Sequence, residues 1–214
     1  MLCKDEINEV INVLFDMYPG AKCELNYKNP FELLIATVLS AQTTDKKVNE
    51  LTAELFDKYK TPEDFLNLTT EELGLKIKKI GLYRTKSNHI LSLCRSLVDN
   101  FNGSVPHTKE ELMTLDGVGR KTANVVLANA FNIPTMAVDT HVFRVSNRIG
   151  LADGKDVLET EKDLMNNVPK DKWIRTHHTL ISHGRALCIA RNPKCSLCPL
   201  KKYCCFYKNK ISKD

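Results

Sequence analysis

Helix-start signals recur along this 214-residue chain. No segment alternates apolar and polar residues like a half-buried strand, so the fold is restricted to helices packed on helices. In "NPFELLIATVLSAQ", Asn29 can cap a helix, Pro30 suits its first turn and Glu32 can close a capping box. That helix is apolar on most sides, which predicts a buried central position. "TPEDF" starts a short helix at Thr61, and Thr69 with Glu72 and Thr108 with Glu111 repeat the box. Val48, Leu51, Leu55 and Tyr59 recur at helical spacing, as do Ile90, Leu91, Cys94, Leu97 and Val98 in a helix ending before Gly103. After Ile133-Pro134, where proline stops a helix, further helices are predicted at Asp139 and near Lys155 and Asp171. The expected class is all-α, with no internal repeat.

Composition narrows the function classes. Hydrophobic residues make up 43% and charged residues 27%, as in ordinary globular proteins. The longest strongly apolar stretch, Leu33 to Leu39, contains Thr37 and is far short of a membrane span. The mixed, acidic start "MLCKDEINEV" does not read as a secretory signal. No membrane partner is expected, and the expected location is the cytoplasm, on the nucleoid if the source is prokaryotic. The net charge of +5 is unevenly spread: residues 184–214 hold eight Lys or Arg against Asp214 alone. A segment so basic suits a polyanion such as nucleic acid.

The stretch "LDGVGRKTA" forces one helix to stop and the next to begin within about four residues. Gly117 and Gly119 can take the positive φ such a turn needs, and they leave backbone N–H groups bare for an anion. With Arg120 beside them, this reads as a helix-hairpin-helix that grips a nucleic-acid backbone without reading its sequence. Lys121 falls in the first turn of the second helix. With basic neighbours and partial burial, its amine would lose part of its charge and could serve as a nucleophile. Asp139 precedes an amphipathic helix. It can be an ordinary N-cap, or a fixed carboxylate that moves a proton or stabilises a cationic sugar.

Five of eight cysteines crowd into "CIARNPKCSLCPLKKYCC". Cys188, Cys195, Cys198 and Cys204 are spaced C-x6-C-x2-C-x5-C, with Cys205 adjacent to the last. A single C-x2-C inside two longer arms suits a [4Fe-4S] cluster better than zinc, although spacing alone leaves both open. His177, His178 and His183 lack an accompanying metal motif and read as packing or surface residues. His141, two residues past Asp139, is a possible neighbour of the site.

Taken together, "GVGRKTA", "VDTHVFRVSNR" and the cysteine pattern resemble the endonuclease III family of bifunctional DNA glycosylase/AP lyases. The likeness runs through "NPFELLIATVLSAQTTD", "IGLYRTKSNHI", "VPHTKEEL" and "HHTLISHGRALCIARNPKCSLCPL". The resemblance implies a six-helix domain over about 22–133 containing the hairpin. It also implies a second helical domain from 1–21 plus 134–214, with a cluster loop at 188–204 and a cleft between the two domains for a flipped nucleotide. It further implies Lys121 as nucleophile, Asp139 as catalytic carboxylate, Gln42 as the residue filling the vacated duplex and Leu82 as an apolar wedge. Without it, Gln42 reads as a polar helix end and Leu82 as the apolar contact following a glycine terminator at Gly81. The implied cofactor is a structural [4Fe-4S] cluster, fixing a loop whose Arg185, Arg191, Lys194, Lys201 and Lys202 are candidate phosphate contacts. The implied substrate is double-stranded DNA with an oxidised pyrimidine or abasic site, and the protein is expected to be a monomer.

Asp116 departs from the family pattern, which commonly has proline there, and is expected to point away from the phosphate site or cap the turn. The rival readings are a mismatch or adenine glycosylase of the same superfamily, a non-catalytic iron–sulfur DNA-binding protein, and a ferredoxin-like electron carrier.

Overall fold

The computed structural model describes residues 1–211. Lys213 and Asp214, which the charge of the C-terminal segment includes, lie outside that range. Among the described residues there are twelve α-helices and no strand. None of these helices is long and apolar enough to cross a membrane. The chain divides into two compact units, Glu24–Ile133 and Met1–Cys23 with Pro134–Asp214.

Helix α1 (Lys4–Met17) opens the chain. The Glu24–Ile133 unit then contains α2 (Pro30–Leu39), α3 (Asp45–Lys58), α4 (Pro62–Leu66), α5 (Thr70–Ile77), α6 (Tyr83–Phe101), α7 (Lys109–Leu112) and α8 (Arg120–Phe131). This makes seven helical segments, and α7 is a single turn anchored by buried Leu112. Every residue from Phe31 to Leu39 is buried, so α2 is the central helix its apolar sequence predicts, packed against α3, α6 and α8. Phe31 meets Phe65 of α4 edge-on at 5.5 Å.

The capping signals act where the sequence puts them, with variations in detail. Asn29 accepts from the Glu32 amide, yet the Glu32 carboxylate takes the Lys28 N–H at 2.6 Å, one residue earlier than a capping box would. Thr69 and Glu72 close a full reciprocal box. At α7 the Glu111 carboxylate instead accepts from the Thr108 hydroxyl at 2.6 Å.

The other unit adds α9 (Thr140–Ile149), α10 (Val157–Asn167), α11 (Trp173–Ala186) and α12 (Cys205–Ile211) to α1. Ile7, Val10, Ile11 and Leu14 of α1 share one core with Val142, Val145, Ile149, Leu164 and Leu180. Helix α11 packs on both α1 and α9. A chain end therefore joins a core made by residues more than a hundred positions away. Helix α12, directly after the cysteine loop, has no counterpart in the sequence reading.

Candidate active site and cysteine cluster

The turn before α8 uses its two glycines differently. Gly117 has φ +77°, and a Cβ there would lie 3.1 Å from the His89 Cβ and 3.3 Å from a Val38 methyl. Gly119 does not have the positive φ expected of it: it caps α8 with φ −90° and ψ 178°, an extended conformation open to any residue. Its lack of a side chain leaves open space in front of the helix, with nothing within 4 Å of a built Cβ. No side chain caps α8 and no acid occupies its first turn, a condition it shares with α6, whereas Asn29, Thr44, Thr61, Thr69 and Thr108 cap α2, α3, α4, α5 and α7 by hydrogen bond. The exposed first-turn amides, with exposed Arg120 beside them, form an electropositive end where an anion is favoured. Asp116 is held by a hydrogen bond from Ser92 of α6, which satisfies its carboxylate locally.

Lys121 is exposed on the first turn of α8, not partly buried as its sequence context suggested. Asp139 caps α9 through one oxygen: Oδ1 accepts from the His141 and Val142 amides at 2.9 and 2.8 Å. It is half-buried, and its Oδ2 makes no hydrogen bond among the described residues. The N-cap role and a free carboxylate oxygen therefore coexist in one side chain. The His141 Nδ1 lies 3.2 Å from an Arg144 guanidinium nitrogen.

Gln42 and Leu82 share a backbone anomaly. Among the described residues, five non-glycines have positive φ: Gln42 (55°), Leu82 (59°) and three asparagines, Asn102, Asn132 and Asn192. Asparagine tolerates the left-handed region and commonly ends helices there. Gln and Leu do not, and each such residue costs on the order of 1–3 kcal/mol unless its surroundings hold it. The side chains gain no burial in return: Gln42 is exposed, and Leu82 is 57% exposed. The expected apolar contact after Gly81 is therefore absent, and Leu82 stands out from the surface instead.

Cys188, Cys195, Cys198 and Cys204 line a common partly open pocket together with Ile149, His183 and Leu200. Cys205 does not line it; its sulfur lies 2.5 Å from where a Cβ on Gly150 would stand. Burial pushes the Cys198 and Cys204 thiols up, and their neighbouring sulfurs push them further. Four thiolates together therefore call for a cationic centre. Among the described residues no three His, Cys, Asp or Glu side chains come together at single-ion spacing. The donor set fits a group larger than one metal ion.

His177, His178 and His183 are all buried core residues. Burial takes His178 down to about 3 and His183 to about 4, so both are neutral at pH 7. His177 bonds the Ala137 carbonyl at 2.6 Å, and His183 lies between Tyr18 at 3.1 Å and the Cys198 sulfur at 3.6 Å. Arg185, Arg191, Lys194, Lys201 and Lys202 are exposed, with the Lys202 ammonium 4.6 Å over the Tyr203 ring.

Two arginines escaped the sequence reading. Arg144 donates to the Cys188 and Gly184 carbonyls, and Arg148 to the Ile189 and Ala190 carbonyls. Both sit on α9 at i and i+4, one helical face, and that spacing was the available signal.

Comparison with known proteins matches this arrangement. Residues 35–170 match the model of the HhH-GPD superfamily base excision DNA repair proteins, and residues 188–204 match the iron–sulfur binding domain of endonuclease III. Endonuclease III of Bacillus subtilis is 51% identical, covering 95% of this chain and 94% of its own. That of Escherichia coli K12 is 48% identical, covering 95% and 96%. A solved trapped endonuclease III–DNA covalent intermediate superposes with a TM-score of 0.94 at 50% identity, covering 99% of this chain and all of the other. A thermostable thymine-DNA glycosylase follows at TM-score 0.87 and 25% identity, so the mismatch-type reading is not favoured. The cofactor is accordingly a [4Fe-4S] cluster and the macromolecular partner is DNA. The chain belongs to the endonuclease III family, the bifunctional DNA glycosylase/AP lyases of base excision repair.

Proposed function

We propose that Lys121 is the nucleophile of this glycosylase/AP lyase and that its substrates are duplexes carrying oxidised pyrimidines or abasic sites. The observation that carries the assignment is an exposed amine on the first turn of an uncapped helix, directly after a glycine turn. The bare amides of α8 and Arg120 take a backbone phosphate, which brings a sugar within reach of the same helix end. A covalent intermediate trapped in a relative 50% identical to this chain supports the chemistry.

The target nucleotide must leave the stack, and a non-planar lesion such as thymine glycol leaves at least cost. Leu82 wedges the bases apart and Gln42 occupies the vacated space, both presented on left-handed backbone. The Lys121 Nζ then attacks C1′. The N–C1′ bond forms as the glycosidic bond breaks, and the base departs with the bonding electrons and takes up a proton. The role assigned to the free Oδ2 of Asp139 is to stabilise the positive charge that develops on the sugar and to pass a proton through water. Loss of one proton from the nitrogen, then ring opening in which the C1′–O4′ bond breaks and O4′ takes up a proton, gives a protonated imine. Removal of a C2′ proton then expels the 3′ phosphate and nicks the strand.

Cys188, Cys195, Cys198 and Cys204 hold the cluster. When bound, it supplies iron–thiolate bonds that cross-link the loop and present Arg185, Arg191, Lys194, Lys201 and Lys202 to phosphates. None of these roles calls on a second copy, so the enzyme acts as a monomer on cytoplasmic DNA. The test is borohydride reduction on an abasic duplex followed by mass spectrometry of the adduct. The sugar is expected on Lys121, and a Lys121→Ala protein should give no adduct. An adduct on another side chain overturns the assignment.

A further inference from the structure

We propose that Lys86 is a positioning residue that locks the Gln42 loop and the Leu82 turn into one rigid duplex-probing unit. The proposal rests on the reading of Gln42 and Leu82 given above.

Lys86 lies on α6 and is only 4% exposed. Its ammonium has three protons, and three oxygens from one loop receive them: the Leu39 carbonyl at 2.8 Å, the Ala41 carbonyl at 2.7 Å and the Thr43 hydroxyl at 3.1 Å. All three acceptors are neutral, and they bracket Gln42 on both sides. The Leu39 carbonyl also belongs to the last turn of α2, where the helix dipole favours a cation. The second turn lies on the same helix: the Lys86 N–H donates to the Leu82 carbonyl at 2.9 Å, the ordinary backbone bond that closes the first turn of α6, so anchoring the Gln42 loop on the Lys86 side chain ties it to the turn that carries Leu82. Lys86 is thus bonded directly to Leu82 and to both neighbours of Gln42. Among the described residues these are the only two positive-φ residues that are neither glycine nor asparagine. Such backbone persists only where surrounding bonds fix it.

A lysine is an expensive core residue, since burial works against its charge, and its pKa is lowered by that burial. A methionine would fill the same volume without that cost. What the ammonium adds is three directed bonds to a loop more than forty residues away in sequence, which apolar packing cannot supply. The loop next to Gln42 makes few bonds of its own: the Thr43 amide reaches Ser40 at 3.0 Å, the Ala41 amide reaches Val38 at 3.4 Å and the Thr43 hydroxyl reaches the Ala41 carbonyl at 3.4 Å.

The test compares Lys86→Met, Lys86→Arg, Thr43→Val, Gln42→Ala and Leu82→Ala in the cluster-loaded protein. Single-turnover excision is measured on a duplex with thymine glycol. Base unstacking is read from 2-aminopurine placed beside a tetrahydrofuran abasic analogue. Lys86→Met is expected to slow duplex excision about tenfold to a hundredfold, the scale of a misplacement of about 1 Å, and to lower the 2-aminopurine signal in parallel. Thr43→Val, losing one of the three lysine bonds and the long bond from the Thr43 hydroxyl to Ala41, should give a smaller fall of the same kind. Nicking of single-stranded abasic DNA by Lys86→Met, where no duplex has to be opened, should stay within about twofold of the parent, which also shows that the variant is folded. Combining Lys86→Met with Gln42→Ala should cost little more than Gln42→Ala alone, because the lysine acts through that residue.

If Gln42→Ala and Leu82→Ala slow duplex excision while Lys86→Met and Thr43→Val do not, the positioning role is overturned and the reading of the two probes survives. If neither Gln42→Ala nor Leu82→Ala has an effect on duplex DNA, that reading fails and the inference with it. Equal losses by Lys86→Met on duplex and single-stranded DNA would make Lys86 a general stability residue and overturn the proposal. Full recovery by Lys86→Arg is not expected, because a planar guanidinium does not match three converging acceptors.

Discussion

The two glycines of the hairpin, two positions apart, should lose different properties on the same substitution: stability at Gly117 and duplex affinity at Gly119. Gly117→Ala places a Cβ on backbone with φ +77°, which costs a non-glycine roughly 1–2 kcal/mol. The new methyl meets the His89 Cβ at 3.1 Å and a Val38 methyl at 3.3 Å. Val38 is 4% exposed on the central helix, so neither neighbour can swing away, and overpacking adds about 1–2 kcal/mol. The sum, about 2–4 kcal/mol, corresponds to a Tm lowered by roughly 5–15 °C for a chain of this size.

Gly119→Ala meets nothing within 4 Å and needs no unusual φ. Replacing glycine at a compatible site gains about 0.4–1 kcal/mol through the unfolded chain. Alanine is a poorer N-cap by about the same amount, so stability should change by less than about 0.5 kcal/mol. Its Cβ instead fills the approach to the bare amides of α8, so duplex affinity should drop. The assays are thermal unfolding followed at 222 nm, and fluorescence anisotropy on a duplex with an uncleavable abasic analogue. If Gly119→Ala lowers Tm as much as Gly117→Ala, or Gly117→Ala leaves Tm unchanged, the division of labour between the two glycines is wrong.

Two further outcomes follow from groups elsewhere in the chain. Burial holds the folded-state pKa of His178 near 3, well below its value of about 6.5 in the unfolded chain. The unfolded state therefore binds the extra proton, and stability contributed by the neutral ring falls as pH drops from about 6.5 towards 3. The share of the loss that belongs to His178 should reach about 2 kcal/mol at pH 5, read from urea unfolding; His178→Phe should remove that share and leave a comparable one from His183, which burial also holds low, at about 4. Separately, if four of the exposed cations Arg185, Arg191, Lys194, Lys201 and Lys202 meet phosphates, log K should fall against log[salt] with a slope near −3.6. Neutralising one should lower the slope by about 0.9 without changing base preference.

Local chemistry made much of this architecture readable in advance. Asn29, Thr61, Thr69, Thr108 and Asp139 all cap the helices they precede, because a cap depends on residues within one turn. The spacing of the four cavity-lining cysteines was equally visible. Conformations fixed by distant partners were not. Gly119 reads like Gly117 until His89 and Val38, from other helices, single out which glycine must take the left-handed turn. Asp116 looks unfavourable at a phosphate site until Ser92 accounts for it. Lys86 reads as one of many helix lysines because its acceptors lie 43 to 47 positions away. One clue was available: Lys86, Ile90, Leu93 and Leu97 fall on one face of α6, and all four are buried. A lone cation on an apolar stripe calls for a specific set of acceptors.

Helix α9 shows why a cluster-binding loop can matter to a carboxylate elsewhere in the same unit. At its start Asp139 caps the helix with one oxygen and leaves the other unbonded. Farther along, Arg144 and Arg148 together take four consecutive-arm carbonyls, those of Gly184, Cys188, Ile189 and Ala190. Arg148 also lies over the Phe206 ring at 4.7 Å, and the Cys204 sulfur reaches the Arg148 carbonyl at 3.3 Å. Cys188 is therefore tied to this one helix through its carbonyl, by a bond to a charged guanidinium worth about 1.5–3 kcal/mol, while the segment after Cys204 is held beside the helix by the Phe206 ring. Among the described residues the inner pair, Cys195 and Cys198, makes neither kind of contact with α9. With the four cysteines as its proposed ligands, the cluster would close the loop between Cys188 and Cys204 onto a frame that protein bonds already hold, and that frame ends at the carboxylate of Asp139.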